Sequence, residues 1–143
     1  MDYNINMNLI VIFGPPGVGK STLVKLATKR GIRAYDLEDC ADKAERKIKV
    51  QKILDAKFNG TILIGAANLH PEDFPHEAKF ILLLPDRNIY LKRLEKRDKL
   101  EPEQRGQGGP AFYDGFAQNK EPYTRIIEDS AEPEEILEKI FSK

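Results

Sequence analysis

The sequence has little that would tie it to a membrane, a polyanion or an oxidising compartment. Its only cysteine is Cys40, which excludes an internal disulfide and any zinc site built on paired cysteines; a buried or incidental thiol is expected. Lys plus Arg and Asp plus Glu both number 23, so no net field recruits DNA, RNA or an anionic lipid surface, and partners must be sought at local sites. No apolar run approaches the roughly 20 residues that a membrane span needs. The opening Met1-Asp2-Tyr3-Asn4 lacks the charged-then-apolar layout of a secretory signal, so a cytoplasmic location is expected. Only two histidines occur; His70 and His76 lie six apart in a stretch broken by Pro71 and Pro75, which is poor spacing for metal ligands. No repeat or low-complexity tract is present.

What remains is the composition of a folded domain. With 143 residues, 41% hydrophobic and 32% charged, the chain is long enough to bury a core without a staple and is expected to form a single domain over residues 1–143. Its apolar segments are short, rich in branched residues and separated by stretches of helical character, the pattern of an α/β fold with a parallel sheet. Residues 8–13 (Asn-Leu-Ile-Val-Ile-Phe) read as a strand buried on both faces. A helix over 19–30 and a weaker strand over 33–37 follow. A long basic helix is expected over 39–58, with Asp39 as its cap, and carries Lys43, Arg46, Lys47, Lys49, Lys52 and Lys57. Strands are expected over 61–64 and 79–84, then a helix from the capping Asp86 to about Lys99. Residues 100–110 hold Pro102, Gly106, Gly108, Gly109 and Pro110 and read as a mobile loop. A short helix over 111–120, a strand over 124–128 and a final helix opened by Pro133 complete the chain.

The segment Gly14-Pro15-Pro16-Gly17-Val18-Gly19-Lys20-Ser21 satisfies the phosphate-loop pattern G-x-x-x-x-G-K-[ST] in full. It follows a buried strand and opens a helix, the arrangement in which successive backbone N–H groups and a helix N-terminus converge on phosphate oxygens. Gly14, Pro15, Pro16, Gly17, Val18, Gly19, Lys20, Ser21 and Thr22 are therefore the expected nucleotide-binding residues. Lys20 would reach the outer phosphates and Ser21 would offer its hydroxyl to Mg²⁺. A GTPase needs an Asn-Lys-x-Asp clamp, and Asn119-Lys120-Glu121-Pro122 lacks the Asp. Motor and ring ATPases need an apolar strand ending in acids, which is absent.

The chain resembles the superfamily of nucleoside monophosphate kinases and shikimate kinases. The likeness rests on residues 14–22, on Leu82-Leu83-Leu84-Pro85 followed by Arg93 and Arg97, on Glu121-Pro122-Tyr123, and on 127–130 through 133–136. It implies a five-stranded parallel sheet of order 2-3-1-4-5, ATP and Mg²⁺ as cofactors, and a lid over about 98–115. Two departures stand out: one helix occupies the place of the inserted acceptor-enclosing helices, and Gly65-Ala66-Ala67 replaces the triple-glycine turn of shikimate kinases. For phosphoryl transfer, Lys20, Asp36, Arg93, Arg97 and Arg105 are the candidate catalytic residues. Asp36 would orient an acceptor hydroxyl, and the arginines would grip the migrating phosphate. Helix capping or solvation is the alternative role, shared among Asp36, Glu38 and Asp39. Arg46 and Lys49 are candidates to face the acceptor, and Phe112, Tyr113 and Phe116 to stack on a base. The expectation is a kinase whose acceptor is a nucleoside, a nucleotide or a nucleotide-like hydroxyl. A hydroxylated metabolite, a modified base or end in a nucleic acid, and a non-catalytic ATP sensor are the alternatives.

Overall fold

A computed structural model describes residues 7–15, 17–67, 69–98, 109–128 and 132–141. The elements in chain order are β1 (Met7–Phe13), α1 (Lys20–Lys29), β2 (Arg33–Asp36), α2 (Lys43–Asp55), β3 (Gly60–Gly65), β4 (Lys79–Leu83), α3 (Arg87–Asp98), α4 (Gly109–Gln118), β5 (Arg125–Ile127) and α5 (Pro133–Phe141). All strand pairs are parallel and the order is β2-β3-β1-β4-β5, as the resemblance implies.

Alternation along β1 sorts the core into two layers. Leu9, Val11 and Phe13 face one side with Ile62, Ile64 and Leu82; Val50 and Ile53 of α2, Tyr90 and Leu94 of α3, and Tyr113 of α4 cover them. Ile10 and Ile12 face the other with Leu63, Ile81 and Leu83, under Leu23 and Ala27 of α1 and Leu137 and Ile140 of α5. Every residue of 9–13 is at most 6% exposed, which explains the unbroken apolar run. The register pairs Ile12 with Gly65 and Phe13 with Leu82, so the C-terminal ends of the three central strands finish level. That edge carries the phosphate loop.

Several boundaries differ from expectation, each for a local reason. β2 stops at Asp36 because Leu37–Asp39 turn into a short 3₁₀ segment, with Asp36 Oδ1 accepting the Glu38 N–H at 3.0 Å. Consequently α2 begins only at Lys43, capped by Asp42 rather than Asp39; Asp42 Oδ1 accepts the Glu45 N–H at 2.8 Å. Phe58 lies beyond the helix, with the Arg33 guanidinium carbon 4.1 Å from its ring centroid. Asp86 caps α3 as expected, its Oδ2 accepting the Asn88 and Ile89 N–H groups at 3.1 and 3.3 Å. Gly109 and Pro110 open α4 instead of ending a loop, since proline's fixed φ suits a first helical turn. Of the expected lid, residues 109–115 therefore belong to this helix, and 99–108 lie outside the described residues. Cys40 is buried and free. No helix among the described residues is long and apolar enough to cross a membrane.

Candidate active site

The loop between β1 and α1 is shaped by close approach. A Cβ on Gly14 would lie 2.8 Å from Val18 Cγ1 and 2.9 Å from the Leu83 carbonyl oxygen, so only glycine fits against β4. Gly17 and Gly19 have φ of 83° and 108°, which side-chain-bearing residues rarely adopt. The Val18 N–H closes the turn on the Pro15 carbonyl at 3.2 Å; Pro16 lies outside the described residues. Gly19 precedes α1, whose first N–H groups have no partners inside the helix and so face the loop's concavity.

Lys20 is 5% exposed, the one buried charged residue among those described. Its Nζ donates to the Gly14 carbonyl at 2.6 Å and to the Pro15 carbonyl at 3.4 Å, folding the side chain over its own loop. Burial pushes its ammonium below the usual lysine range, against the opposing pull of the Glu38 and Asp36 carboxylates. Glu38 Oε1 stands 3.9 Å from Lys20 Nζ, and its Oε2 accepts from Ser21 Oγ at 3.4 Å. The Ser21 hydroxyl, at the end of the phosphate loop, is a hard-oxygen donor of the kind that suits Mg²⁺. Thr22 is exposed on the first turn of α1.

The turn after β2 decides which acid faces the loop. Asp36 pairs in register with Gly65 and gives one oxygen to the Glu38 N–H, which leaves Glu38 to project toward Lys20 and Ser21. The sequence suggests only capping or solvation for Glu38; its place two residues beyond an acid that ends a strand is the signal for this position. Arg46 does not point at an acceptor but clamps this turn, its Nε donating to the Leu37 carbonyl at 3.2 Å and its Nη2 to that of Cys40 at 3.5 Å. Lys49 of α2 lies 5.8 Å from the ring centroid of Tyr35 on β2 and lines a cleft of about 450 Å³ with Ser21, Lys25, Lys29, Asp36 and Asp39.

A second cavity, of about 280 Å³, opens directly from the phosphate loop. Gly14, Lys20 and Glu38 form one side; Ala67, Leu69 and His70 after β3, and Phe112 and Phe116 of α4, form the rest. Tyr113, expected with those two rings, instead turns into the core, stacks on Tyr90 at 5.4 Å and donates its hydroxyl to the Pro85 carbonyl. His76 lies away from the cavity beside Glu77, and among the described residues no group of three or more His, Cys, Asp or Glu is placed to hold a metal. Arg93 is exposed on α3 and does not line the cavity. The Arg97 side chain and Arg105 lie outside the described residues.

Sheet order, phosphate loop and helix layers together define the fold of the P-loop small kinases. Shikimate kinase from Bacteroides thetaiotaomicron superposes with a TM-score of 0.61 at 17% identity, over 93% of this chain and 96% of that one. A gluconokinase from Sinorhizobium meliloti gives 0.56 at 13% identity over 93% and 89%, and dephospho-CoA kinase from Campylobacter jejuni gives 0.52 at 14% over 94% of each. These likenesses are of fold. No family profile matches the chain, and no curated protein matches it in sequence.

Proposed function

We propose that the protein is an ATP-dependent kinase that transfers the γ-phosphate to a hydroxyl of a small acceptor. The observation that carries this reading is the buried Lys20, faced by Glu38 and Ser21, at the mouth of a cavity of acceptor size. Gly14 to Thr22 hold the triphosphate. Ser21 would offer its hydroxyl to Mg²⁺, which when bound would supply positive charge to the phosphate oxygens. The acceptor oxygen bonds to the γ-phosphorus as the bond from that phosphorus to the β,γ-bridging oxygen breaks, and ADP leaves. The hydroxyl proton passes to a carboxylate of the turn, Glu38 or Asp36, and then to solvent. Arg93, Arg97 and Arg105 are the candidates to reach the transferring phosphate when a lid over about 98–115 closes. The reading treats residues 1–143 as one kinase domain working in the cytoplasm, where ATP and Mg²⁺ are at hand. A hydroxyl on a nucleic-acid end is a second reading, favoured by the lysines of the cleft beside Ser21.

The test is transfer of labelled γ-phosphate from ATP to pooled nucleosides, nucleoside monophosphates, hydroxylated metabolites and short oligonucleotides, with Lys20→Ala as control. Label in one pool, lost in the control, is the expected result. Binding of ATP without label in any pool would replace the kinase reading by that of an ATP sensor.

A further inference from the structure

We propose that the cavity beside the phosphate loop takes an uncharged alcohol that carries a planar ring, an acceptor of nucleoside type without phosphate or carboxylate. The direction of chemistry rests on the kinase reading above; the class of ligand is argued from the walls. At about 280 Å³ the cavity lies at the small end of ligand sites, room for one ring system and a short polar arm.

Phe112 lines the wall and is 46% exposed. Its exposure is built into the way α4 docks. Tyr113, the next residue, is fixed in the core by its stack on Tyr90 and its bond to Pro85, while Arg87 grips Asp114 through Nε–Oδ1 at 2.9 Å and Nη2–Oδ2 at 3.3 Å. With the helix pinned on that side, Phe112 and Phe116, one turn apart, both line the cavity. Phe116 is backed by Tyr123, centroids 6.1 Å apart, and Tyr123 by Phe13 at 5.3 Å, so its ring rests on the core. Two rings on one wall, one of them backed by the core, match a flat apolar face.

Charge on the cavity wall points the same way. Lys20 already bonds two loop carbonyls, and the kinase reading assigns it to the donor phosphates. The other formal charge lining the cavity among the described residues is Glu38, which repels an anionic acceptor and accepts a hydrogen bond from a hydroxyl. His70 adds a polar edge. Its backbone is held because its N–H donates to Asp73 Oδ2 at 2.8 Å, and Asp73 Oδ1 pairs with Lys47 Nζ at 3.5 Å.

Binding is measured on the full chain by ligand-observed saturation-transfer NMR, with ADP and Mg²⁺ filling the donor site. The probes are adenosine, guanosine, cytidine and thymidine, each against its 5′-monophosphate and against shikimate. The expected result is that at least one nucleoside binds more tightly than its monophosphate. Phe112→Ala should weaken it about tenfold, the scale of a ring stack, Phe112→Tyr should keep it, and Glu38→Gln should narrow the gap to the monophosphate. Tighter binding of monophosphates or shikimate, no binding by the folded wild type, or nucleoside binding unchanged in Phe112→Ala would each overturn the proposal. So would Phe112→Ala lowering kcat for every acceptor while leaving binding intact, since the ring would then serve only closure of the site. Nucleoside binding that depends on Phe112 but never leads to labelled product would refute the kinase reading and leave the ligand class standing.

Discussion

Replacing Glu38 by glutamine keeps the shape of the turn and removes one charge between Lys20 and Ser21. At 3.9 Å and an effective dielectric constant of about 20, the Coulomb energy of the pair is about 4 kcal/mol, but the Glu38 side chain is 46% exposed and water screens most of it. About 1 kcal/mol of coupling is the realistic figure. ATP affinity should therefore change by less than about fivefold, and the thermal midpoint by only a few degrees. Loss of a proton-accepting carboxylate acts on the chemical step instead, where it costs about 10²- to 10⁴-fold in rate. Steady-state phosphoryl transfer with the acceptor found in the pooled screen separates the two effects: kcat should fall at least about a hundredfold while ATP binding, read by calorimetry, barely moves. Asp36→Asn, measured beside it, tests the acid that already bonds the Glu38 N–H. The reasoning is refuted if Glu38→Gln keeps kcat within about threefold of wild type while Asp36→Asn abolishes transfer; at that scale no general-base contribution is left, and Glu38 would be a mere tether for Lys20.

Two more outcomes follow from other parts of the fold. Gly14→Ala places a methyl against Val18 and the Leu83 carbonyl, and because a strand backbone cannot give way the cost should be about 1–3 kcal/mol, with weaker ATP binding; unchanged urea denaturation would show that the loop has slack. Burial pushes the Tyr123 phenol up to about 12 from its ordinary value of 10.0. The folded state then holds that proton more tightly than the unfolded chain, so this contribution is complete below pH 10 and is lost as pH rises toward 12. Denaturation followed across that window should be steeper in wild type than in Tyr123→Phe, and identical slopes would count against the buried phenol.

Much of the scaffold was legible along the chain because it depends on local pattern. The run over 9–13 reads as a central strand buried on both faces, and the full G-x-x-x-x-G-K-S pattern between it and a helix marks a phosphate loop. Asp86 capped its helix as expected, since a cap needs only its own next three residues. Glycine and proline count misled at 109–110, where the same residues that break a helix also begin one.

The site itself was less legible. From sequence, Asp36, Glu38 and Asp39 were three acids in a row of five; which of them meets Lys20 depended on where β2 stops and on one side chain-to-backbone bond at the turn. Arg46 looked free to serve an acceptor until the fold laid it across the Leu37 and Cys40 carbonyls. Phe112, Tyr113 and Phe116 formed one aromatic cluster in sequence, and the docking of α4 divided it, one ring to the core and two to the cavity. The sequence by itself determined the sheet, the phosphate loop and its lysine, because backbone conformation and burial there follow from neighbours a few residues away. Only the tertiary structure decided which carboxylate, which rings and which histidine share a cavity, because those contacts join β2, β3 and α4, and no spacing along the chain encodes the distance between them.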